Sequence, residues 1–401
     1  MAYTQFTKRM ILMDKEIKDL NRDRSFRIGP IRPPSEANSL LLQVTQGCTW
    51  NKCKFCQLYR HTGFKAYSAD SIKADIDNMV YIADRIERYR IAGGGWDIAG
   101  INRELSQTAA GERECFYMVA NWLINGDGSV FLQDGNTTAL SSGRLSDVLI
   151  YLKQAFPQIT RITSYGRAQN LAKVSPEEFA ELKAAGLDRI HSGFESGSDE
   201  VLKLINKGVT AAEEITAGKN VKAGGIEFSV YFMPGVGGKA LTEENARGMS
   251  EVINEINPDF IRIRTAAIKP QTGLYEDYLR GDFILCSEDD KVREIRSIIE
   301  RAEGIETRLV SDHITNLLQT VEGSLKTDKD YMLGIIDRYL AMPEEDKRLY
   351  QAARRTIGIL SPESMDYLSA NDMNRLKGMA DAVSDPYEWE IAMNEIISNY
   401  I

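Results

Sequence analysis

The chain has 401 residues, 43% apolar and 27% charged, the balance of an ordinary soluble globular protein with room for one barrel-sized domain and an appendage. Its net charge of −9 argues against a broad polyanion-binding face, so a nucleic-acid partner is not expected. No run approaches the roughly 20 apolar residues of a membrane span, and MAYTQFTKRM carries no apolar signal core. The expectation is a cytoplasmic protein with no membrane partner, where close-set cysteines bind metal or do chemistry more often than they form disulfides.

Strand-length apolar or β-branched runs stand at 40–44 (LLLQV), 129–133 (SVFLQ), 161–165 (RITSY), 189–193 (RIHSG), 226–233 (IEFSVYFM) and 259–264 (DFIRIR). From the second onward their spacing is that of a βα unit with its return loop. Helical patterns lie between them. SPEEFAELKAAGL has Ser175 as N-cap, Pro176 at the first helical position, Glu178 at N3 and Gly186 as stop. Two regions break the rhythm. Residues 69–125 hold a long polar helix (about 69–91), a Gly-rich loop and a second helix near 112–124. From about 288 the pattern is helical and charged, with a Pro-led start at LSPESMDYL. The fold class is α/β: a partial (β/α)6 TIM-type barrel with a mostly helical C-terminal region. The boundaries are an N-terminal extension 1–35, a core 36–270 with a helical insertion at about 85–125, and a region 271–401 that covers the substrate side.

Directly after the first strand, CTWNKCKFC sets Cys48, Cys53 and Cys56 in the spacing C-x4-C-x2-C. A structural zinc site wants four ligands closed tetrahedrally, and His61 could be the fourth. The other reading is a 4Fe–4S cluster, where three thiolates leave one iron open for a substrate or cofactor. The two remaining cysteines, Cys115 and Cys286, read as buried small hydrophobes.

Three clustered cysteines on the loop after strand one of a six-unit barrel resemble the radical S-adenosylmethionine (SAM) superfamily, whose usual spacing is one residue shorter. FLQDGNTT, HSGFESGSDEVLKLINKG and FSVYFMPGVGG extend the resemblance, the second of them toward the oxygen-independent coproporphyrinogen oxidase branch. The resemblance implies two cofactors, a 4Fe–4S cluster on Cys48, Cys53 and Cys56 and SAM on its open iron. It assigns Phe55, Asp134, Gly135, Asn136, Glu195, Lys207, Ser229 and Met233 to SAM binding. It also implies an electron donor of flavodoxin or ferredoxin type and an anaerobic niche. The expected reaction is reductive cleavage of SAM to a 5′-deoxyadenosyl radical that acts on a small organic or cofactor-like substrate. Alternatives are C-methyl transfer through a second SAM, or a non-catalytic iron–sulfur or zinc protein that kept the fold. Arg262 and Arg264 share one face of the last strand by its period of two. Arg264, Asp312 and His313 are the candidate catalytic residues, the latter two at an expected helix start in SDHITNLL.

Overall fold

The computed structural model describes residues 24–400, so only 24–35 of the N-terminal extension fall within it. In chain order the elements are β1 (Leu40–Gln43), β2 (Thr45–Gln46), β3 (Lys65–Ala66), α1 (Ala69–Glu87), α2 (Ile98–Gln107), α3 (Arg113–Asn125), β4 (Ser129–Gln133), α4 (Ser142–Ala155) and β5 (Arg161–Tyr165). Next come α5 (Ala168–Leu171), α6 (Pro176–Ala185), β6 (Arg189–Glu195), α7 (Asp199–Leu204), α8 (Ala211–Ala223), β7 (Glu227–Phe232), α9 (Thr242–Ile256) and β8 (Phe260–Ile263). The rest are α10 (Gly273–Leu279), α11 (Glu288–Arg301), β9 (Arg308–Val310), β10 (Gly323–Ser324), α12 (Lys329–Leu340), α13 (Glu344–Thr356), α14 (Ala370–Ala382) and α15 (Pro386–Ser398).

The main sheet runs β1-β4-β5-β6-β7-β8-β9-β10, parallel throughout except for the last pair. The six strands expected from sequence are all present, and β9 adds a seventh parallel strand inside the region expected to be helical. Along each strand the residues alternate between two environments. Leu40, Leu42, Val130, Leu132, Ile162, Ile190, Phe228, Val230, Ile261, Ile263 and Leu309 enter the main apolar core under the helices. The other face is polar and aromatic, with Phe131, Thr163, Tyr165, His191, Ser229, Tyr231 and Arg262. Tyr165 and Tyr231 stand two strands apart, roughly 9–10 Å in a flat sheet, yet their ring centroids are 6.3 Å apart. That face is therefore the concave interior of a partial barrel.

Helix signals read well where caps are strong. α6 has the Ser175–Glu178 capping box and ends at Gly186 with φ of 118°. Elsewhere the structure differs. The first long helix stops at Glu87, and α2 forms where only a loop was expected, capped by Asp97, whose side chain accepts from Gly100 N. LSPESMDYL forms a 3-10 turn, Pro362–Tyr367. SDHITNLL is irregular because side chains satisfy its backbone. His313 Nδ1 accepts from Thr315 N at 3.3 Å, and Ser311 Oγ donates to the Leu318 carbonyl. Asn316 Nδ2 donates to the Ile263 carbonyl, and its Oδ1 accepts from Thr265 N. This pins the segment to the end of β8. α13 closes over it, with Tyr350 OH reaching the Leu317 carbonyl and Arg354 the carbonyls of Asn316 and Ile314; α15 is tied instead to the stretch after β8, where Asn394 pairs with both backbone groups of Ile268.

Candidate cofactor and substrate site

The cysteine loop is tied off at its base by β2 pairing with β3 (Thr45 with Ala66, Gln46 with Lys65). It is then fastened to distant parts of the barrel mouth. Lys54 N donates to the Ile205 carbonyl, its carbonyl accepts from Leu274 N, and its ammonium meets Asp277 at 2.7 Å. Trp50 Nε1 donates to the Asn206 carbonyl, and the indole lies against Gly208. A Cβ at Gly208 would stand 2.4 Å from that ring, at a φ of +67° that already favours glycine.

Cys48, Cys53 and Cys56 are free, half-buried thiols close enough to interact electrostatically. Burial pushes Cys53 up to about 11, opposed by the ammonium of Lys207. Among the described residues no three metal-ligating side chains converge on one ion position, His61 included, as a four-coordinate zinc would require. Three half-buried thiols on one loop, with the cations of Lys207 and Arg167 near Cys53, are a donor set that suits a 4Fe–4S cluster, one thiolate to each of three irons.

Lys207 Nζ sits 3.0 Å from Glu195 Oε1 and 5.6 Å from the centre of the Phe55 ring. Burial opposes its charge, but Glu195 and Cys53 outweigh that and hold its pKa up. Glu195 has φ of 70° at an irregularity in the β6–β7 ladder, a strained geometry for a non-glycine residue that collects at functional sites. Met233 N donates to the Glu195 carbonyl, and Met233 packs with Phe55 against Val201, Ile205 and Val236. Phe55, Glu195, Lys207 and Met233 therefore form one group beside the cysteines.

Asp134 and Asn136 are engaged by the chain itself. Asp134 accepts from Gly47 N and from the Tyr59 hydroxyl. Asn136 Nδ2 donates to Thr49 and Asn170, and its Oδ1 accepts from Arg167 N. Both side chains brace the cysteine loop, and Gly135 between them lies close against Tyr59 and the Gly47 carbonyl. The structure does not bring Ser229 to the group. It lies on the inner face about 13 Å of strand below Met233, buried, in register with His191 and Phe260.

Arg264, Asp312 and His313 do come together. Arg262 Nη1 and Arg264 Nη1 hold the two oxygens of Asp312 at 2.9 and 2.8 Å. Burial, then Arg264, lowers the His313 pKa to about 4, so the ring is neutral at neutral pH. Deeper in the barrel, burial likewise lowers His191 to about 4, where it lies against the rings of Tyr165 and Tyr231. Sequence reading missed Tyr59, Trp50, Arg167, Tyr165, Tyr231 and His191. The inward period of strands 161–165, 189–193 and 226–233 was the available signal for the last three.

Residues 112–246 match the family model described as the radical SAM superfamily. Over that stretch the chain is similar to the radical SAM superfamily. That superfamily uses a 4Fe–4S cluster and SAM. The matched segment carries Asp134, Glu195, Lys207 and Met233 and starts downstream of the three cysteines. Among curated proteins, a tRNA uridine(34) acetyltransferase of Methanocaldococcus infernus is 28% identical over 123 residues, 30% of this chain and 23% of the relative. An uncharacterised methyltransferase of Pyrococcus horikoshii is 23% identical over 189 residues, 47% of this chain and 38% of the relative. The chain thus spans well under half the length of these relatives. Among solved structures, the archaeal Elp3 of Methanocaldococcus infernus lacking its N-terminus superposes with a TM-score of 0.39 at 19% identity, covering 59% of this chain and 60% of that one. The cobalamin-dependent SAM radical enzyme OxsB gives 0.41 at 13% identity, covering 90% and 53%. No helix among the described residues is long and apolar enough to cross a membrane.

Proposed function

We propose that this chain is a radical SAM enzyme in which Cys48, Cys53 and Cys56 hold the 4Fe–4S cluster, and Phe55, Glu195, Lys207, Met233 and the Gly135 backbone hold SAM. The observation that carries this reading is the cysteine loop fastened at the C-terminal strand ends, beside the buried Lys207–Glu195 pair, where ligands of barrel folds gather. When bound, the cluster supplies the low-potential electron that cleaves SAM. The chain's own part is binding and exclusion of water. Lys207 carries the charge to meet a methionine carboxylate, and the 311–318 segment under α13 closes the substrate side. The substrate chamber is the barrel interior under Arg264, Asp312 and His313, and its occupant is a small organic or cofactor-like molecule.

The electron donor is an acidic flavodoxin- or ferredoxin-like protein. No Asp or Glu occurs between Glu36 and Asp70, while Lys52, Arg60 and Lys65 stand exposed around the cysteine loop. The same basic rim supports a second reading, RNA as substrate, together with the tRNA named for the acetyltransferase relatives. This moves the branch away from the coproporphyrinogen oxidase side. Methyl transfer is the reaction named for the Pyrococcus relative. Anaerobic reconstitution followed by assay for 5′-deoxyadenosine tests the proposal. About four irons per chain and SAM-dependent product are expected, both lost in Cys53→Ala. Stoichiometric zinc with no iron, or a reconstituted cluster that never yields 5′-deoxyadenosine, overturns it. A mobility shift with total tRNA at physiological salt separates the two substrate readings.

A further inference from the structure

The inner face of β8 carries two guanidinium groups and too little negative charge to match them. Arg262 is 5% exposed, and its Nη1 is taken by Asp312 Oδ2, while its Nε is buried with no hydrogen-bond partner. Arg264 uses Nη1 for Asp312 Oδ1 and the Ile263 carbonyl, and its Nη2 is likewise buried and unpartnered. Among the described residues, Asp312 is the one carboxylate within ion-pair distance of either arginine. The neighbouring groups add no negative charge. The Tyr231 ring lies 5.0 Å from the Arg264 guanidinium carbon, and His313 is neutral.

Buried N–H groups without acceptors are costly, and more so when charged. A site that keeps two of them, on adjacent inward positions of one strand, is shaped for an acceptor that arrives from outside. Guanidinium geometry selects that acceptor as a planar or tetrahedral oxyanion. Access exists, because the Asp312 side chain is 29% exposed while Arg262 beneath it is closed off.

We infer that Arg262 and Arg264 bind an oxyanion of the substrate, a carboxylate or a phosphate, with Asp312 as the resident counter-charge that this group partly displaces. The inference rests on the barrel interior being the substrate chamber. It narrows the substrate to an anionic small molecule, and it makes the two arginines specificity-determining residues. Lys207 remains the partner of the SAM carboxylate, more than one strand away on the loop after α7.

The test is equilibrium binding of two probes, succinate and inorganic phosphate, to the anaerobically reconstituted full chain by calorimetry, without turnover. At least one probe should bind saturably, the tighter one naming the group. Arg264→Gln should weaken it tenfold or more, and Arg264→Lys less. Asp312→Asn should tighten it several-fold, an effect with the opposite sign to a merely structural loss. Arg103→Gln, an exposed control, should change nothing. SAM affinity and the cluster spectrum, read on the same samples, should be unchanged in each variant. If Arg264→Gln fails to fold, Arg264→Lys and Asp312→Asn still decide. No saturable binding of either probe overturns the inference, as does equal binding by Arg264→Lys and wild type together with weaker binding by Asp312→Asn. So does a loss of SAM affinity that matches the loss of probe, which would give the anion site to SAM. Because no turnover is read, a failed 5′-deoxyadenosine assay leaves this result standing.

Discussion

Two buried clusters in this molecule are built from the same parts, one carboxylate between two cations, and they serve opposite ends. In the barrel, Asp312 lies between Arg262 and Arg264. Under the C-terminal helices, Glu288 lies between Lys291 and Arg355, all three nearly or fully closed to solvent. The second cluster also has Glu390, whose carboxylate accepts from Glu288 N and faces Lys291; burial raises its pKa to about 7, so it adds part of a second negative charge near neutral pH. Burial works against the charge of Glu288, but Arg355 and Lys291 outweigh it and lower the pKa to about 2. There each cation meets a carboxylate oxygen of its own, although Arg355 Nε is also buried without a partner. The barrel cluster is one charge short, and one of its members is half-open. Balance marks a fastening between helices, while surplus marks a place for a ligand.

The largest effect should come from breaking the balanced cluster. Glu288→Gln strands two buried cations and should cost about 3–5 kcal/mol in chemical denaturation. A loss under about 1 kcal/mol would end the distinction between the clusters. The next lever is acid. His191 and His313 have folded pKa values near 4 against an ordinary 6.5, so the unfolded chain binds more protons between those values. Stability from them is therefore present above 6.5 and lost as pH falls toward 4, by up to about 3 kcal/mol for the fully buried His191. His191→Phe should roughly halve that slope.

Asp312→Asn should cost less than Glu288→Gln, about 1–2 kcal/mol, since its carboxylate is partly solvated and its arginines can recruit water or a ligand. An equal cost for the two variants would erase the contrast. The smallest effect concerns Glu294, on the same helix as Glu288 but facing the Met233–Gly235 turn. Its Oε2 accepts from Gly235 N and Asn245 Nδ2, and burial raises its pKa to about 8. The folded state holds that proton between about 4.3 and 8, so this contribution is intact at low pH and lost as pH rises through 8. Glu294→Gln should match wild type near pH 4 and become steadily more stable than it as pH rises toward 8, because the amide cannot ionise in the unfolded chain.

Cys48, Cys53 and Cys56 stand out by their spacing as candidates, while the strands were legible because six apolar, β-branched runs recur at βα spacing. The balanced cluster was not. EDDKVREIRS reads as a solvated helix face, yet Glu288, Lys291 and Glu294 are buried, and the Arg355 that makes this possible lies 67 positions away. β9 was missed because three residues, RLV, give no period to read. SDHITNLL has a helix's cap and apolar pair, but Asn316 and His313 satisfy its backbone from the side and no helix forms. Asp134 and Asn136 lie beside the cysteine loop, but their side chains answer to it, which only contacts at long range reveal.

The cysteine loop leaves the ribosome early, yet its anchor at Asp277 follows Lys54 by 223 residues. At about 5–20 residues per second, synthesis needs roughly 10–45 s to cover that distance. Through that interval three thiols exist without the frame that spaces them, open to oxygen and to the wrong metal. On the reading proposed above, cluster loading is therefore a late event in the life of the chain, and its yield in a cell depends on how fast the last third of the barrel closes.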